Sequence, residues 1–330
     1  MAVNGRQRIV VLGGGSGGVV AATQLGRRLG GEHEVILIDR SPDHVYMPSL
    51  LWLMVGQRQP ADITRKLKRL ESRNVGVVQS QVEGIDPDRQ EVVTSGGRVQ
   101  YDHLIVSLGL QPAPELIPGF AEGADHAWEM SAATRLHEKL RRFDGGRVLV
   151  VVPPGPYRCP PAPYETQYLL DSYFTERGIR ERVLMEFYTR DPAPRGPSTD
   201  PSVWMDAQAR ARGITQHYSF SLESIDPDQK IMLGRYGLEV PYDLLFVIPP
   251  HRPSQPLIDC HIADSLTGVR VDYDTLETRW DNVYAIGDCA DMPASKAGVV
   301  AHQEADIVAH NIEVKITGRG HPETLRLHTM

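Results

Sequence analysis

The chain has 330 residues, 41 % hydrophobic and 23 % charged, with a formal net charge of -7. That length and balance suit two soluble globular domains, and the negative charge argues against non-specific nucleic-acid binding. No apolar run has membrane-span length, no secretory leader precedes the strand at Arg8, and the three cysteines are too scattered for a disulfide framework, so a cytoplasmic setting is expected.

Residues 8–39, RIVVLGGGSGGVVAATQLGRRLGGEHEVILID, read as strand, glycine turn, helix and strand. Gly13, Gly15 and Gly18 form GxGxxG at the strand-to-helix junction, and Asp39 ends the second strand. In that context Gly13 permits the tight turn, Gly15 lets the backbone approach a pyrophosphate, and Gly18 lets the helix pack close to the sheet. The helix start, with Ser16 and Gly17, offers N–H groups and a positive partial charge to phosphates. Asp39, next to Arg40, can accept hydrogen bonds from ribose hydroxyls. Residues 102–107 read as another buried strand. Residues 147–152 open a second unit that 183–188 continue. Residues 191–201 read as a proline-rich loop, 282–286 as a late strand and 294–316 as a helix.

Residues 82–107 and 222–248 form an internal repeat. Both carry Ile-Asp-Pro-Asp, a hairpin-like stretch, Tyr-Asp-x-Leu and an apolar run. Matched halves at similar spacing predict duplicated nucleotide-binding domains.

The late stretch NVYAIGDCADMPASKAGVVAHQEADIVAHNI decides between flavin and nicotinamide at the first site. Gly287 allows close approach of a ligand, and Asp288 can hold a ribityl hydroxyl. A helix starting near Ala297, with Lys296 beside it, can face the flavin N1 and C2 carbonyl, where reduced flavin is negative. NAD has no ribityl chain to need such an anchor. The stretch resembles the second FAD motif of flavoproteins with two dinucleotide folds. HLIVSLG at 103–109 resembles their inter-domain turn, with Ser107, Leu108 and Gly109 in its place. Pro48 and Val82 complete the expected FAD contacts. The predicted fold is α/β with two Rossmann-like, glutathione-reductase-type domains, the first discontinuous. Residues 1–111 and 268–330 form the FAD domain and 112–267 the second.

The corresponding junction of the second unit reads VVVPPGPYRCPPAPYET. Prolines lack the N–H groups of a phosphate cradle, which disfavours NAD(P)H there. Cys159 lies just before a helix expected from Tyr164 onwards, where free N–H groups favour a thiolate. Glu165, about two turns further on, can accept a proton.

YRCPPAPYE looks like the cysteine motif of the sulfide:quinone oxidoreductases and of the flavin subunit of flavocytochrome c sulfide dehydrogenase. YMPSLLWLMVGQR (46–58), YDLLFVIPPHRP (242–253), VRVDYDTLETRWDNVYAIGD (269–288) and PASKAG (293–298) resemble further segments of that family. The resemblance implies that a cysteine pair beside the flavin takes up sulfide and that FAD is reduced by two electrons. It implies that polysulfide or sulfane sulfur leaves and that a quinone or a haem subunit is the acceptor. Cys159 is by this resemblance one of the pair, and Lys296 touches the flavin.

The family's other cysteine lies in a C-terminal segment with the quinone pocket and membrane-docking helices, and that segment has no counterpart before Met330. Cys260 reads as a packing cysteine. Cys289 reads as packing too, with a role as substitute redox partner as the minority alternative. No cysteine stands at 46–49, where the flavocytochrome subunit bonds its flavin, so FAD is expected to be non-covalent. His251 and His302 read as ordinary polar residues, and no spacing supports a metal site. Three functions stay open: a sulfide:quinone-type flavoenzyme, another flavin quinone reductase such as a type II NADH dehydrogenase, and a non-catalytic FAD- or sulfur-binding protein. A soluble protein, or one peripheral at the inner face of the membrane, is expected.

Overall fold

A computed structural model describes residues 5–194 and 200–326. The chain divides into two bodies, one of residues 1–45, 64–111 and 252–330, the other of residues 46–63 and 112–251.

The first body opens with β1 (Arg8–Leu12), whose Ile9, Val10, Val11 and Leu12 are wholly buried. A continuous apolar run of this kind marks a parallel strand covered on both faces. Helix α1 (Ser16–Arg28) buries Gly17, Gly18, Ala21, Ala22, Leu25 and Gly26, a small-residue stripe at helical spacing. It leads to β2 (Glu34–Asp39), parallel to β1 with Val10 opposite Ile36. Strand β3 (Gly76–Gln79) pairs with β2. An antiparallel three-stranded sheet follows, β4 (Val82–Asp86), β5 (Glu91–Thr94) and β6 (Gly97–Gln100). Then β7 (His103–Val106) lies along the other side of β1.

The second body repeats the plan. Its elements are α2 (Met130–Arg142), β8 (Gly146–Val152), α3 (Ala162–Glu176), β9 (Val183–Thr189), α4 (Asp200–Ala211) and β10 (Ile214–His217). After them come the antiparallel β11 (Leu222–Asp226), β12 (Ile231–Gly234) and β13 (Leu238–Pro241), then β14 (Leu244–Val247). The parallel sheet runs β10-β9-β8-β14. A short helix, Leu50–Met54, also belongs to this body. Of the proline-rich stretch at 191–201, residues 195–199 lie outside the described residues, and α4 already begins at Asp200.

The chain then completes the first body. Strand β15 (Val283–Ala285) pairs with β7, giving the order β15-β7-β1-β2-β3. The order reverses at β1, which opens a ligand crevice beyond its carboxyl end. Helix α5 (Gly298–Thr317) packs on α1, where Gln24 Nε2 donates to Asp306 Oδ1 at 2.9 Å. The helix expected from residue 294 starts at Gly298, after the segment holding Pro293 and Lys296.

The duplication reaches single hydrogen bonds. Asp102 Oδ2 accepts the Arg8 N–H at 2.6 Å, and Asp243 Oδ2 accepts the Arg147 N–H at 2.7 Å. Each aspartate thus satisfies an amide at the start of the central strand in its own body, that of the first residue of β1 and that of the second residue of β8. The arginines also match: Arg8 pairs with Glu34 and Arg147 with Glu186, both at 2.6 Å. Gln90 and Lys230 take the same left-handed conformation after the two Ile-Asp-Pro-Asp turns. Even the β-bulges correspond, between Val82 and Gly84 and between Leu222 and Ser224.

Candidate active site: a dinucleotide cleft and a cysteine loop

The first centre is the crevice at the end of β1. Gly13 has φ +101, and a Cβ there would lie 2.3 Å from Ser107 O. A Cβ on Gly18 would lie 1.8 Å from Gly13 O, so only glycine lets α1 start this close to the strand. Around Gly15 a Cβ would meet nothing within 4 Å, which leaves the backbone open to a ligand. The loop is held from both sides: Gly14 N–H donates to Asp39 Oδ2 at 2.6 Å, and the His44 ring donates to Gly14 O at 2.8 Å. Asp39 Oδ1 accepts the Ser41 N–H at 2.7 Å, and each oxygen keeps a lone pair for a ribose hydroxyl. The sequence reading missed His44, whose partner lies 30 residues away along the chain.

Two helix starts converge on this crevice. Neither α1 nor α5 has a side-chain cap or an acid in its first turn. A methyl on Gly17 would touch Ala301 Cβ at 3.5 Å and Ser107 Oγ at 3.0 Å. One on Gly298 would touch Ser16 Oγ at 3.5 Å. Ser107, Gly17 and the first turn of α5 are therefore neighbours, and both positive helix ends sit on one side of the cleft. Gly287, at φ +71, turns the chain at the end of β15, and Asp288 follows half-buried. Lys296 Nζ donates to Ala290 O at 2.5 Å and lies beside Gly287, Asp288 and Glu304. Leu108 is half-buried and Gly109 has φ +63. Val82 packs in the core, Arg40 is exposed, and Pro48 is exposed in a turn of the second body. This cradle of glycines and uncapped helix starts fits a dinucleotide with a second anchor at Gly287–Asp288.

Cys289 is wholly buried, and burial pushes its thiol up to about 11. Its Sγ donates to Ile286 O at 3.3 Å and Val106 O at 3.5 Å. Cys260 Sγ accepts the Ile85 N–H at 3.4 Å.

The second centre is the loop between β8 and α3. Helix α3 starts at Ala162, two residues earlier than expected, because Pro161 and Pro163 both accept helical φ at a helix start. Cys159 is half-buried and holds φ +62, a conformation that non-glycine residues rarely take. The start of α3 offers few amides to a thiolate. Ala162 N–H is spent on Cys159 O at 2.9 Å, Pro163 has none, and Tyr164 N–H reaches Pro161 O at 3.1 Å. The residue before the cysteine, Arg158, is clasped. Its Nη2 donates to Trp128 O, while Trp128 Nε1 donates to Arg158 O at 3.2 Å. Behind Trp128 stands His251, with ring centroids 6.5 Å apart, and the His251 N–H holds Pro156 O at 3.0 Å. Burial pushes His251 down to about 3 and His126 down to about 4, so both are neutral packing groups at ordinary pH. Glu165 stands in the first turn of α3, and its Oε1 accepts Trp52 Nε1–H at 3.1 Å. Cys159 and Glu165, expected from the sequence, stand on this loop and helix start; Trp128 and Trp52 join them only through the fold, and Arg158, next to Cys159 in the chain, was not singled out.

Among the described residues no group of His, Cys, Asp and Glu could hold a metal ion, and no helix is long and apolar enough to cross a membrane.

Residues 7–155 match the family model for pyridine nucleotide-disulphide oxidoreductases. Residues 133–249 match the model for the central part of the sulfide dehydrogenase [flavocytochrome c] flavoprotein chain. The chain is 28 % identical to the mitochondrial sulfide:quinone oxidoreductase of Dictyostelium discoideum over 319 residues, 92 % of this chain and 70 % of that one. It is 29 % identical to the Mus musculus enzyme, over 91 % of this chain and 69 % of the relative. The crystal structure of the Aquifex aeolicus sulfide:quinone oxidoreductase superposes with a TM-score of 0.86 at 25 % identity, covering 94 % of this chain and 77 % of that one.

The fold is that of the Rossmann-type FAD/NAD-dependent disulphide oxidoreductases, and these relatives imply a flavin cofactor, FAD. Within that class the chain is a homologue of the sulfide:quinone oxidoreductases.

Proposed function

We propose that this protein oxidises sulfide at Cys159 and passes two electrons through non-covalently bound FAD to a quinone. The observation that carries the reading is the loop between β8 and α3. A nicotinamide dinucleotide needs amide donors there, and the loop supplies Pro153, Pro154, Pro156, Pro160 and Pro161 in their place. Instead the loop holds a thiol in a fixed, uncommon backbone conformation beside a clasped arginine.

In this reading Gly13, Gly15, Ser16, Gly17, Gly18 and Asp39 hold the adenosine and pyrophosphate. Ser107, Gly109, Gly287, Asp288 and Lys296 hold the ribityl chain and flavin. Bound FAD supplies a two-electron acceptor. Hydrosulfide becomes sulfane sulfur by releasing one proton and two electrons. Cys159 carries that sulfur, and Glu165, oriented by Trp52, takes the proton. The Arg158–Trp128 clasp holds the loop that carries Cys159. Cys289 and Cys260 pack and do not react. The protein works at the cytoplasmic side, with peripheral contact at the inner face of the membrane.

Donor competition tests this. Under anaerobic conditions sulfide is expected to bleach the visible flavin band within the mixing experiment while NADH leaves it intact, and a quinone is expected to restore it. Acid denaturation is expected to release all of the flavin. Rapid bleaching by NADH with none by sulfide would replace the reading with a nicotinamide-driven quinone reductase.

A further inference from the structure

Glu304 lies in the second turn of α5 with 1 % of its surface exposed. Its Oε2 accepts the Gly287 N–H at 2.5 Å. Gly287 is the turn residue of the second flavin anchor, and a Cβ on it would touch Ala301, one turn before Glu304. Helix and turn are thereby locked together through a buried carboxylate. Burying such a charge is costly unless it is partnered. The partners are few: the Gly287 amide and the Lys296 charge favour the anion, and Asp288 opposes it. The first turn of α1, packed on the same end of α5, brings only Ser16 and Gly17, neither of which ionises. Burial outweighs the partners and pushes the carboxyl up to about 7.

We propose that Glu304 is a positioning residue of the flavin site, which holds the Gly287–Asp288 turn in place and takes up a proton when the flavin is reduced. The inference rests on the reading of this cleft as the FAD site. Reduction brings two electrons and one proton to the flavin and leaves one negative charge on it. That charge disfavours a second anion at Glu304. The carboxylate then binds one proton from solvent, one O–H bond forms, and no other bond changes. The electrons come from the sulfur donor.

The test is potentiometry on the FAD-loaded protein either side of neutral pH, with Glu304→Gln and Glu304→Ala. In the parent the midpoint potential is expected to fall more steeply around neutrality, by about 30 mV per pH unit, which is tenfold for a two-electron couple. Glu304→Gln keeps an acceptor for the Gly287 amide. It is expected to bind FAD within roughly threefold of the parent and to lose the steeper segment. Glu304→Ala leaves that amide without its partner and is expected to bind FAD at least about tenfold more weakly by fluorescence titration. Coincident potential–pH curves for parent and Glu304→Gln would overturn the proton linkage even if Glu304→Ala fails to fold. Parent-like FAD affinity in Glu304→Ala would overturn the positioning role. A parent chain that takes up no FAD would overturn the cofactor reading and this inference with it.

Discussion

Cys159 was legible because its neighbours are wrong for the alternative. A proline-built junction cannot cradle phosphate, and a cysteine in it therefore needs another explanation. Its left-handed backbone and its clasp were not legible, since Trp128 and Arg158 stand 30 residues apart and meet only through the fold. The clasp has a measurable consequence. Trp128→Phe keeps the aromatic packing and removes the N–H that holds Arg158 O. Sulfide-driven flavin reduction is expected to slow about tenfold, the equivalent of one hydrogen bond lost in positioning, with FAD affinity unchanged. Stopped-flow mixing reads the rate, and a parent-like rate would show that the clasp does not position the sulfur. At Gly18 the prediction concerns the cofactor. A methyl there would sit 1.8 Å from Gly13 O, so Gly18→Ala is expected to purify without bound flavin, as its visible spectrum would show.

At the scale of elements, β1, α1 and β2 were readable from period and punctuation alone, and the hairpin repeat was readable from its Ile-Asp-Pro-Asp turns. Boundaries shifted where prolines decide them. Helix α3 begins early because proline suits a helix start, and α5 begins late, at Gly298. What the repeat did not reveal was the work of its Tyr-Asp pair. Asp102 and Asp243 each satisfy an amide at the start of a central parallel strand. Asp102→Ala and Asp243→Ala are each expected to cost about 1–3 kcal/mol, because a strand amide loses its acceptor. Urea unfolding measures this, and a loss below about 0.5 kcal/mol at both sites would contradict the shared role.

For the whole molecule, the duplicated fold and the flavin class followed from motifs in register with secondary structure, which is why they could be read without coordinates. The buried carboxylate of Glu304 could not, because burial of one helix position depends on what packs against it. It should govern how stability varies with pH. The ordinary carboxyl value of 4.5 is raised to about 7 in the folded protein, so the folded state binds this proton more tightly than the unfolded one. Stability is therefore fully present below the ordinary value and is lost as pH rises towards and through about 7. Glu304→Gln is expected to remove that loss. Urea unfolding should find the variant more stable than the parent at pH 8, by of the order of 2 kcal/mol, and little different at acid pH. An equal pH dependence in both proteins would place the titrating group elsewhere.

The central claim is that Cys159 handles sulfur for the flavin. The measurement that tests it most directly is an anaerobic sulfide titration of the FAD-loaded protein and of Cys159→Ser, following the flavin absorbance. The account predicts rapid bleaching of the parent and none in the variant, with equal FAD content. Bleaching of Cys159→Ser at the parent rate, or a parent that sulfide does not reduce, would contradict it.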